Sequence, residues 1–487
     1  GPITGDMNGP EVYATVFALA PGKTDANVLW AGSDDGLIHV TRDAGKTWTN
    51  ITPPDMPDFG RVSIIDASSF DAATAYVAVK RPLLDDFSPY IFRTHDFGRT
   101  WTKIVNGIDA DEYVHAVRED PKRRGLLYAG TQEGVRISYD DGASWLPLSL
   151  NLPNTQVSDL IVEDRDLVIS THGRGFYVLD DIAPIRQFSP AVAAATPAYL
   201  FAPDTAYRST SGASIRYLVN GSVQNMTMDV LDKTGTVVQT FAGAAGGRGA
   251  APAAGRAGGR GGRGGGSTTA SMAQGMQTVT WNLRYPPATS FPGMILWGGN
   301  VQGPFAPPGT YQVRLTVNGV AQTQPFTVQK HPLHADVSDA DLQEQFDLVI
   351  RIRNKTSEAN QAVIDIRRIK ADVADRLSKS QDARLKTAGD GLVAALSEVE
   401  GEIYQVKNQS GQDPLNFPIK VNNRLASLMS MINSGDGKPI GNAEAIFTAL
   451  SSELKLLTDN VGRILASELA GFNAEATRLR LDTVRGR

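Results

Sequence analysis

Two polar clusters in the first third of the sequence contain residue types suited to ligand recognition or acid–base chemistry. One is the segment 80–90, which contains Asp85, Asp86 and Tyr90. The other combines two separate segments and comprises His115, Arg118, Glu119, His172 and Arg174. Long polar loops on a rigid scaffold commonly bind ligands, so we predict binding roles for both clusters.

Glycoside hydrolysis is the alternative chemistry. It requires two carboxylates about 5–10 Å apart across the scissile bond. The candidate acids are Asp34, Asp35, Asp85, Asp86 and Glu133. No pair among them stands out, so catalytic residues remain unknown and ligand binding is the favoured interpretation.

Other chemistries lack a matching motif. The chain contains no Cys, which excludes disulfides, thiolate metal sites and cysteine nucleophiles. Its six His residues do not follow a metal-ligand spacing, and we assign His331 and His334 to packing or solvent contact at a domain junction. A nucleophile elbow, a Walker loop and a dinucleotide fingerprint are also missing from the sequence. We therefore predict no metal and no cofactor.

A repeated motif dominates the first third of the chain. The pattern [ST]-x-D-x-G-x-[TS]-W occurs at 41–48, 94–101 and 138–145, with the Asp positions 53 and 44 residues apart. In a tight turn, Asp accepts backbone hydrogen bonds, Gly adopts a positive φ, and Trp packs against the next unit. We therefore predict structural roles, with the three Trp side chains buried, for Asp43, Gly45, Trp48, Asp96, Gly98, Trp101, Asp140, Gly142 and Trp145.

Short apolar strands precede each motif at regular spacing. A unit of 40–50 residues with three or four strands is typical of a propeller blade. A fourth, degenerate unit ends at Asp180 and Asp181. In that unit, His172 and Arg174 would face a central channel. Together with His115, Arg118 and Glu119 they would line a polar funnel. The alternative is that Arg174 and the two Asp residues form an ion pair between blades.

The motifs resemble Asp-boxes, the repeat of bacterial neuraminidases. The surrounding segments 30–48, 90–101, 114–145 and 171–176 are similar to bacterial propeller proteins of the sortilin (VPS10-like) and photosystem-II-assembly-factor-like group, often labelled glycosyl hydrolases. The resemblance implies a propeller. It leaves open whether the protein is an enzyme, because sialidases, xyloglucan hydrolases, sortilins and assembly factors share this repeat.

Rings in that group have about seven to ten blades, whereas this sequence supplies four. We therefore expect residues 1–185 to form an open arc of a partial propeller, as the C-terminal part of a longer protein. Its apolar flanks would be covered by missing N-terminal blades, by another subunit, or by the C-terminal domains.

Residues 186–330 show about seven strands and favour a β-sandwich. The order of motifs is similar to the Ig-like domain of flagellar-hook-capping proteins. We expect a disordered Gly/Arg/Ala insertion at 243–275; its four Arg residues make a nucleic-acid tether the alternative. Residues 331–487 show apolar residues at helical spacing, and short connections predict an antiparallel bundle.

Overall composition limits the partners. The formal net charge is −5, which argues against a nucleic-acid-binding protein. The sequence has no apolar run of membrane-spanning length. We expect an exported, periplasmic or cell-surface bacterial protein that binds a protein, peptide or glycan, with hydrolysis as the alternative.

Overall fold

The computed structural model describes residues 14–209, 211–245 and 269–486. The chain divides into two compact units, Gly1–Ala194 and Ala195–Arg487. Among the described residues, no helix combines the length and apolar character that a membrane span requires.

The first unit contains four antiparallel sheets in chain order. Sheet 1 comprises β1 (Val16–Pro21), β2 (Leu29–Ser33), β3 (Ile38–Thr41) and β4 (Thr49–Asn50). Sheet 2 comprises β5 (Arg61–Ala67), β6 (Ala75–Arg81), β7 (Asp86–Thr94) and β8 (Thr102–Lys103), with a 3₁₀ turn at Pro82–Leu84. Sheet 3 comprises β9 (Val114–Glu119), β10 (Leu127–Thr131), β11 (Val135–Ser138) and β12 (Leu146–Pro147). Sheet 4 comprises β13 (Val157–Val162), β14 (Leu167–Thr171) and β15 (Phe176–Leu179), followed by α1 (Ala183–Gln187) and α2 (Pro190–Ala194).

Each sheet is a meander in which neighbouring strands follow one another in the chain. The first strands of successive sheets contact one another, β1 with β5, β5 with β9 and β9 with β13. Three apolar clusters fill the junctions between successive sheets, with Trp30 at the first, Tyr76 at the second and Tyr128 at the third. The four sheets therefore pack face to face, with their first strands on one side of the array.

The second unit begins with nine strands. They are β16 (Ala198–Leu200), β17 (Ala206–Tyr207), β18 (Ala213–Val219), β19 (Met226–Leu231), β20 (Val237–Ala244), β21 (Thr269–Ser271), β22 (Gly275–Trp281), β23 (Gly309–Val317) and β24 (Val320–Gln329). Strands β16, β18 and β22 form one sheet, and β17, β24, β23, β19, β20 and β21 form the other. Side chains from both sheets, including Trp281 and Tyr311, build one shared core.

The expected disordered insertion at 243–275 is wrong at both ends. Residues 243–244 complete β20, and residues 269–271 form β21, which pairs with β20 in parallel. Residues 275–281 form β22. The Gly-rich composition ends at Gly266, and the Thr, Ser and Val residues beyond it suit a strand. The Arg residues of the proposed tether, Arg248, Arg256, Arg260 and Arg263, lie outside the described residues.

The helices are α3 (Asp339–Ser378), α4 (Ala383–Ile403), α5 (Val421–Ile432), α6 (Ala443–Ile464) and α7 (Ala470–Arg478), with a π turn at Leu465–Leu469 and a 3₁₀ turn at Asp413–Leu415. Ser338 and Asp341 form a capping box that starts α3. One apolar core joins the helices.

The connection between β22 and β23 packs on these helices. Phe291 enters their core, and the backbone N–H of Trp297 donates to Oδ1 of Asn423 at 2.8 Å. Sandwich and helices therefore form one body within the second unit.

Candidate ligand-binding site

Each first strand of the four sheets contains a β-bulge at the same place. The register shift directly follows Val16, Val62, Val114 and Val157, and the extra residues are Phe17, Ser63, His115 and Ser158. A bulge redirects the side chain of its extra residue and is frequent next to functional sites. The repeat therefore presents one redirected residue per sheet.

A second set of residues lies at the same end of the sheets. Each member directly follows the second-strand residue that pairs with Val16, Val62, Val114 or Val157. Its members are Asp34, Lys80, Gln132 and His172. The backbone N–H groups of Asp34, Gln132 and His172 donate to carbonyls just before the neighbouring first strand. We call this region, with the four bulge residues, the bulge end of the first unit.

Lys80 and His115 form the closest polar pair at the bulge end. Lys80 Nζ lies 3.0 Å from Nδ1 of His115. An ammonium group only donates, so Nδ1 accepts and the neutral ring carries its hydrogen on Nε2. Nε2 is buried and has no hydrogen-bond partner among the described residues. An unsatisfied buried donor costs about 1–3 kcal/mol, so an incoming acceptor oxygen would remove that cost.

Burial shapes the charge of both groups. It lowers the pKa of His115 to about 4, assisted by the nearby positive charges of Lys80 and His172. Burial also lowers the pKa of Lys80, followed in size by the effect of Arg61. Burial is thus the main cause of both lowered pKa values, and the neighbouring cationic groups add to it.

A small pocket adjoins Lys80. Its walls are Phe59, Arg61, Lys80, Arg81 and the turn Pro82–Leu84, so no carboxylate lines it. Neither Lys80 nor Arg61 forms an ion pair with a carboxylate in the described parts of the chain. The Arg61 guanidinium instead lies 5.0 Å from the ring centre of Phe17. A pocket with free cations and apolar walls is suited to an anionic group on an apolar ligand.

Aromatic rings surround His115. Its ring centre lies 4.9 Å from that of Tyr113, and Tyr113 contacts the exposed Phe87 at 5.9 Å. His115 itself is only 5% exposed. A ligand oxygen therefore reaches Nε2 only after a side-chain rotation in this group.

Arg118 and Glu119, expected in the polar funnel, have partners at the sheet junctions instead. The Arg118 guanidinium binds Asp159 Oδ1 at 3.1 Å and the carbonyl of Leu160 at 3.0 Å, so it joins sheet 3 to sheet 4. Glu119 is buried and accepts from Ser68 Oγ at 2.5 Å. Burial raises the pKa of Glu119, which is the reverse of what an exposed binding carboxylate would show. The expectation that these two side chains line a funnel is therefore wrong.

Polar side chains of the segment 80–90 form hydrogen bonds with one another. Asp86 accepts from Arg81 at 2.7 Å and from the Tyr90 hydroxyl at 2.9 Å. Burial opposes ionisation of Asp86, but hydrogen bonds from Ser88, Tyr90 and Arg81 leave its pKa lowered. Asp85 is exposed and ends the 3₁₀ turn with φ 58°. This pairing shapes the pocket wall, and the cations of the pocket lie beside it.

His172 and Arg174 lie in the turn between β14 and β15, and both are exposed. His172 is close enough to His115 to lower the pKa of that ring. The Arg174 side chain has no ion pair among the described residues, so the expected salt bridge to Asp180 and Asp181 does not form there. The structure thus groups His115 with His172 and leaves Arg174 in solvent.

The three Asp-box turns share one hydrogen-bond pattern. Oδ1 of Asp43 accepts the backbone N–H of Thr47 at 2.9 Å, and Oδ2 accepts its hydroxyl at 2.7 Å. Asp96 and Asp140 make the equivalent bonds. Hydrogen bonds from Thr47 lower the pKa of Asp43 to about 2. These carboxylates are therefore occupied within their own turns.

The tryptophans of the Asp-boxes differ. Trp145 is buried and Trp101 partly buried, but Trp48 is 42% exposed, so the expectation of three buried rings is wrong for Trp48. Trp101 and Trp145 pack on the sheet before their own. Trp48 belongs to sheet 1, which has no preceding sheet in the described chain.

The remaining candidate acids do not approach the pocket. Asp35 accepts from Ser33, and Asp34 has one buried oxygen without a partner. Carboxylate oxygens of Asp109, Glu112 and Glu133 lie within 4.8 Å of one another, a grouping that the sequence analysis missed. Arg136 forms an ion pair with both Asp109 and Glu112, so a cation already occupies the cluster.

Arg61 lies outside both predicted clusters, and Lys80 begins the predicted segment 80–90 but was not assigned a role there. Aligning the second strands of the four units would have found Lys80, because it occupies the same repeat position as His172. Arg61 pairs directly with Lys80 across β5 and β6.

Neither a protein-family model nor a curated protein sequence matches the chain. Among solved structures, it is similar to YCF48 bound to a D1 peptide, with 16% identity, a TM-score of 0.27, and coverage of 43% of this chain and 63% of that chain. YCF48 from Cyanidioschyzon merolae gives 16% identity, a TM-score of 0.28, and coverage of 43% and 68%. The GH74 xyloglucanase from Xanthomonas campestris gives 12% identity, a TM-score of 0.28, and coverage of 64% and 45%.

The matched part therefore spans less than two thirds of the first of these chains and under half of the xyloglucanase. With TM-scores below 0.3, none of these likenesses establishes a shared fold. The description of this chain as four meander sheets, two further sheets and a helical region depends on its own strands and helices.

Proposed function

We propose that the protein is a binding protein whose first unit holds an acidic segment of a protein or peptide at the bulge end. The orphaned Nε2–H of buried His115, beside Lys80, is the observation that carries this proposal. The acidic segment would use two carboxylates, one accepting from Nε2 of His115 and another accepting from the Lys80 ammonium group, while Phe59 and Leu83 offer apolar contact. The wider setting would be an exported bacterial protein with a four-blade partial propeller at 1–185, an Ig-like sandwich at 186–330 and a helical bundle at 331–487.

Binding suits this pocket better than glycoside hydrolysis does. Hydrolysis needs an acid and a second carboxylate flanking the bond. The pocket is lined by cations and apolar groups, and Asp86 of the adjoining loop is held by Arg81 and Tyr90.

Titration calorimetry with an acetylated, amidated tetraglutamate peptide tests the proposal. We expect measurable binding that the tetraglutamine peptide lacks. Lys80→Met should weaken binding at least about tenfold, equivalent to about 1.4 kcal/mol. Lys46→Met removes the same charge from an exposed Asp-box turn and serves as the matched control.

Equal weakening by both lysine variants would mean that only net charge matters and would overturn the site. The same conclusion would follow if tetraglutamate did not bind. His115→Phe should also weaken binding, because it removes the Nε2 donor and keeps an aromatic ring at this position.

A further inference from the structure

The outer face of sheet 1, turned away from sheet 2, exposes residues that are buried elsewhere in the repeat. Val16 is 58% exposed and Leu19 is 64% exposed. Their equivalents in the other three sheets are at most 4% exposed: Val62, Ile65, Val114, Val117, Val157 and Leu160. Those residues pack against the sheet before their own, so sheet 1 presents the same surface without a cover.

The Asp-box turn of sheet 1 likewise lacks the contact with a preceding sheet that the other two Asp-box turns make. Trp101 Nε1 donates to the Ile51 carbonyl of the preceding sheet at 2.6 Å, and Trp145 Nε1 donates to the Ile104 carbonyl at 2.9 Å. Trp48 occupies the equivalent position and is largely exposed. Sheet 1 therefore has the turn geometry for contact with a preceding sheet.

The outer face of sheet 4, turned away from sheet 3, is the counterpart. Phe176 is 79% exposed and Val178 is 53% exposed. Their equivalents in sheets 1 and 3 are at most 4% exposed: Ile38, Val40, Val135 and Ile137. In those sheets the residues pack against the sheet that follows. The outer face of sheet 4 could therefore pack against a further sheet in the same way.

The two faces also match in residue size. At the first junction, a Cβ on Gly32 would lie 2.7 Å from Val62 Cβ, and at the third a Cβ on Gly130 would lie 3.4 Å from Val157 Cβ. A small residue of one sheet thus faces a valine of the next. Ser170 holds the small position in sheet 4, and Val16 holds the valine position in sheet 1.

We propose that two copies of this chain associate head to tail, with the outer face of sheet 4 in each copy covering the outer face of sheet 1 in the other. The two new junctions continue the series of three junctions already present within one chain. Two copies of four sheets close into a ring of eight, within the usual range of about 4–8 blades. Closure covers both exposed faces at once, and an open array would leave one face bare at each end.

Light scattering on the full chain gives the first test. We expect twice the mass of one chain, with Phe176→Glu and Leu19→Glu each weakening the dimer at least tenfold. Leu456→Glu changes an equally exposed leucine in α6 and should leave the dimer intact. A wild-type monomer, a dimer indifferent to both face variants, or larger particles would overturn the closed pair.

Disulfide trapping gives an independent test, because the chain contains no native Cys. By repeat equivalence, Ser170→Cys in one copy would directly face Val16→Cys in the other, close enough for a disulfide after a small outward shift of the two strands. Mixing the two single variants under mild oxidation should give a covalent heterodimer. Neither variant alone should cross-link comparably, and failure of the mixture to cross-link would contradict head-to-tail pairing.

Discussion

Nζ of Lys80 donates to Nδ1 of His115 across the junction between sheets 2 and 3. Protonation of His115 would put a hydrogen on Nδ1 and break this bond. Burial, followed by the charges of Lys80 and His172, lowers the pKa of His115 to about 4, in keeping with that conflict. The Lys80–His115 pair therefore links the stability of the first unit to pH.

The pH dependence has a definite sign. The ordinary pKa of His is about 6.5, so the unfolded chain binds a proton that folded His115 refuses. We expect the stabilisation to be complete above pH 6.5 and to fall as the pH drops from 6.5 towards 4. Urea unfolding across this range should show a smaller decline for His115→Asn than for the wild type. His172→Asn should reduce the decline only slightly, because His172 contributes less to the lowered pKa of His115 than burial and Lys80 do.

Alanine substitutions at equivalent Asp-box glycines should differ in their effect on the free energy of unfolding. Gly142 has φ +84°, and a Cβ there would lie 2.4 Å from Ile104 Cδ1. Gly45 has φ +91° with open space around it. Both substitutions strain the backbone, but only Gly142→Ala also displaces a buried isoleucine. We expect Gly142→Ala to lower the free energy of unfolding by about 1–3 kcal/mol more than Gly45→Ala, measured by chemical denaturation.

Alanine substitutions at Arg118 and Arg174 should have different effects on stability, and Arg174 serves as the control. Arg118 binds Asp159 and a backbone carbonyl of sheet 4, whereas Arg174 is exposed. Arg118→Ala should cost about 1.5–3 kcal/mol, as expected for hydrogen bonds to charged groups. Arg174→Ala should change the free energy of unfolding by less than about 0.5 kcal/mol. Equal effects on thermal and urea unfolding would contradict the assignment of Arg118 to the junction.

The second unit contains a buried ion pair that joins the sandwich to the helices. Arg208 Nη2 lies 2.6 Å from Asp436 Oδ1, and Nη1 donates to the Ala306 carbonyl at 2.6 Å. Arg208→Met leaves Asp436 without its partner and should cost about 3–5 kcal/mol. The double variant Arg208→Met/Asp436→Leu should lose less than the sum of the single losses. Additive losses in urea unfolding would show that the two side chains are not coupled.

The sequence predicts local turn chemistry well because that chemistry is contained within a few residues. Asp43 and Thr47 are four positions apart, and their mutual hydrogen bonds follow from the motif. The capping box at Ser338 is predictable for the same reason. By contrast, Arg118 and Glu119 are adjacent in β9 but bind partners in different sheets, Asp159 in sheet 4 and Ser68 beside sheet 2. Composition cannot distinguish a channel-facing side chain from one that faces a neighbouring sheet.

The candidate site also depends on contacts between sheets that the sequence does not predict. His115 and His172 stand out as histidines in a channel-forming repeat. The orphaned Nε2 of His115 arises only because Lys80, from another sheet, occupies Nδ1. That relationship depends on how sheets 2 and 3 pack, so no local pattern in the sequence reports it.

The parallel pairing of β20 with β21 has a consequence for how this chain can vary. Ala242 and Thr269 are register partners, so the fold fixes where the chain leaves this sheet edge and where it rejoins it. The number of residues between those two points is not set by either strand. Loop-closure entropy changes by only about 0.6 kcal/mol for each doubling of length. The sandwich can therefore accept large differences in length at this edge, including an inserted reporter domain whose own ends lie close together.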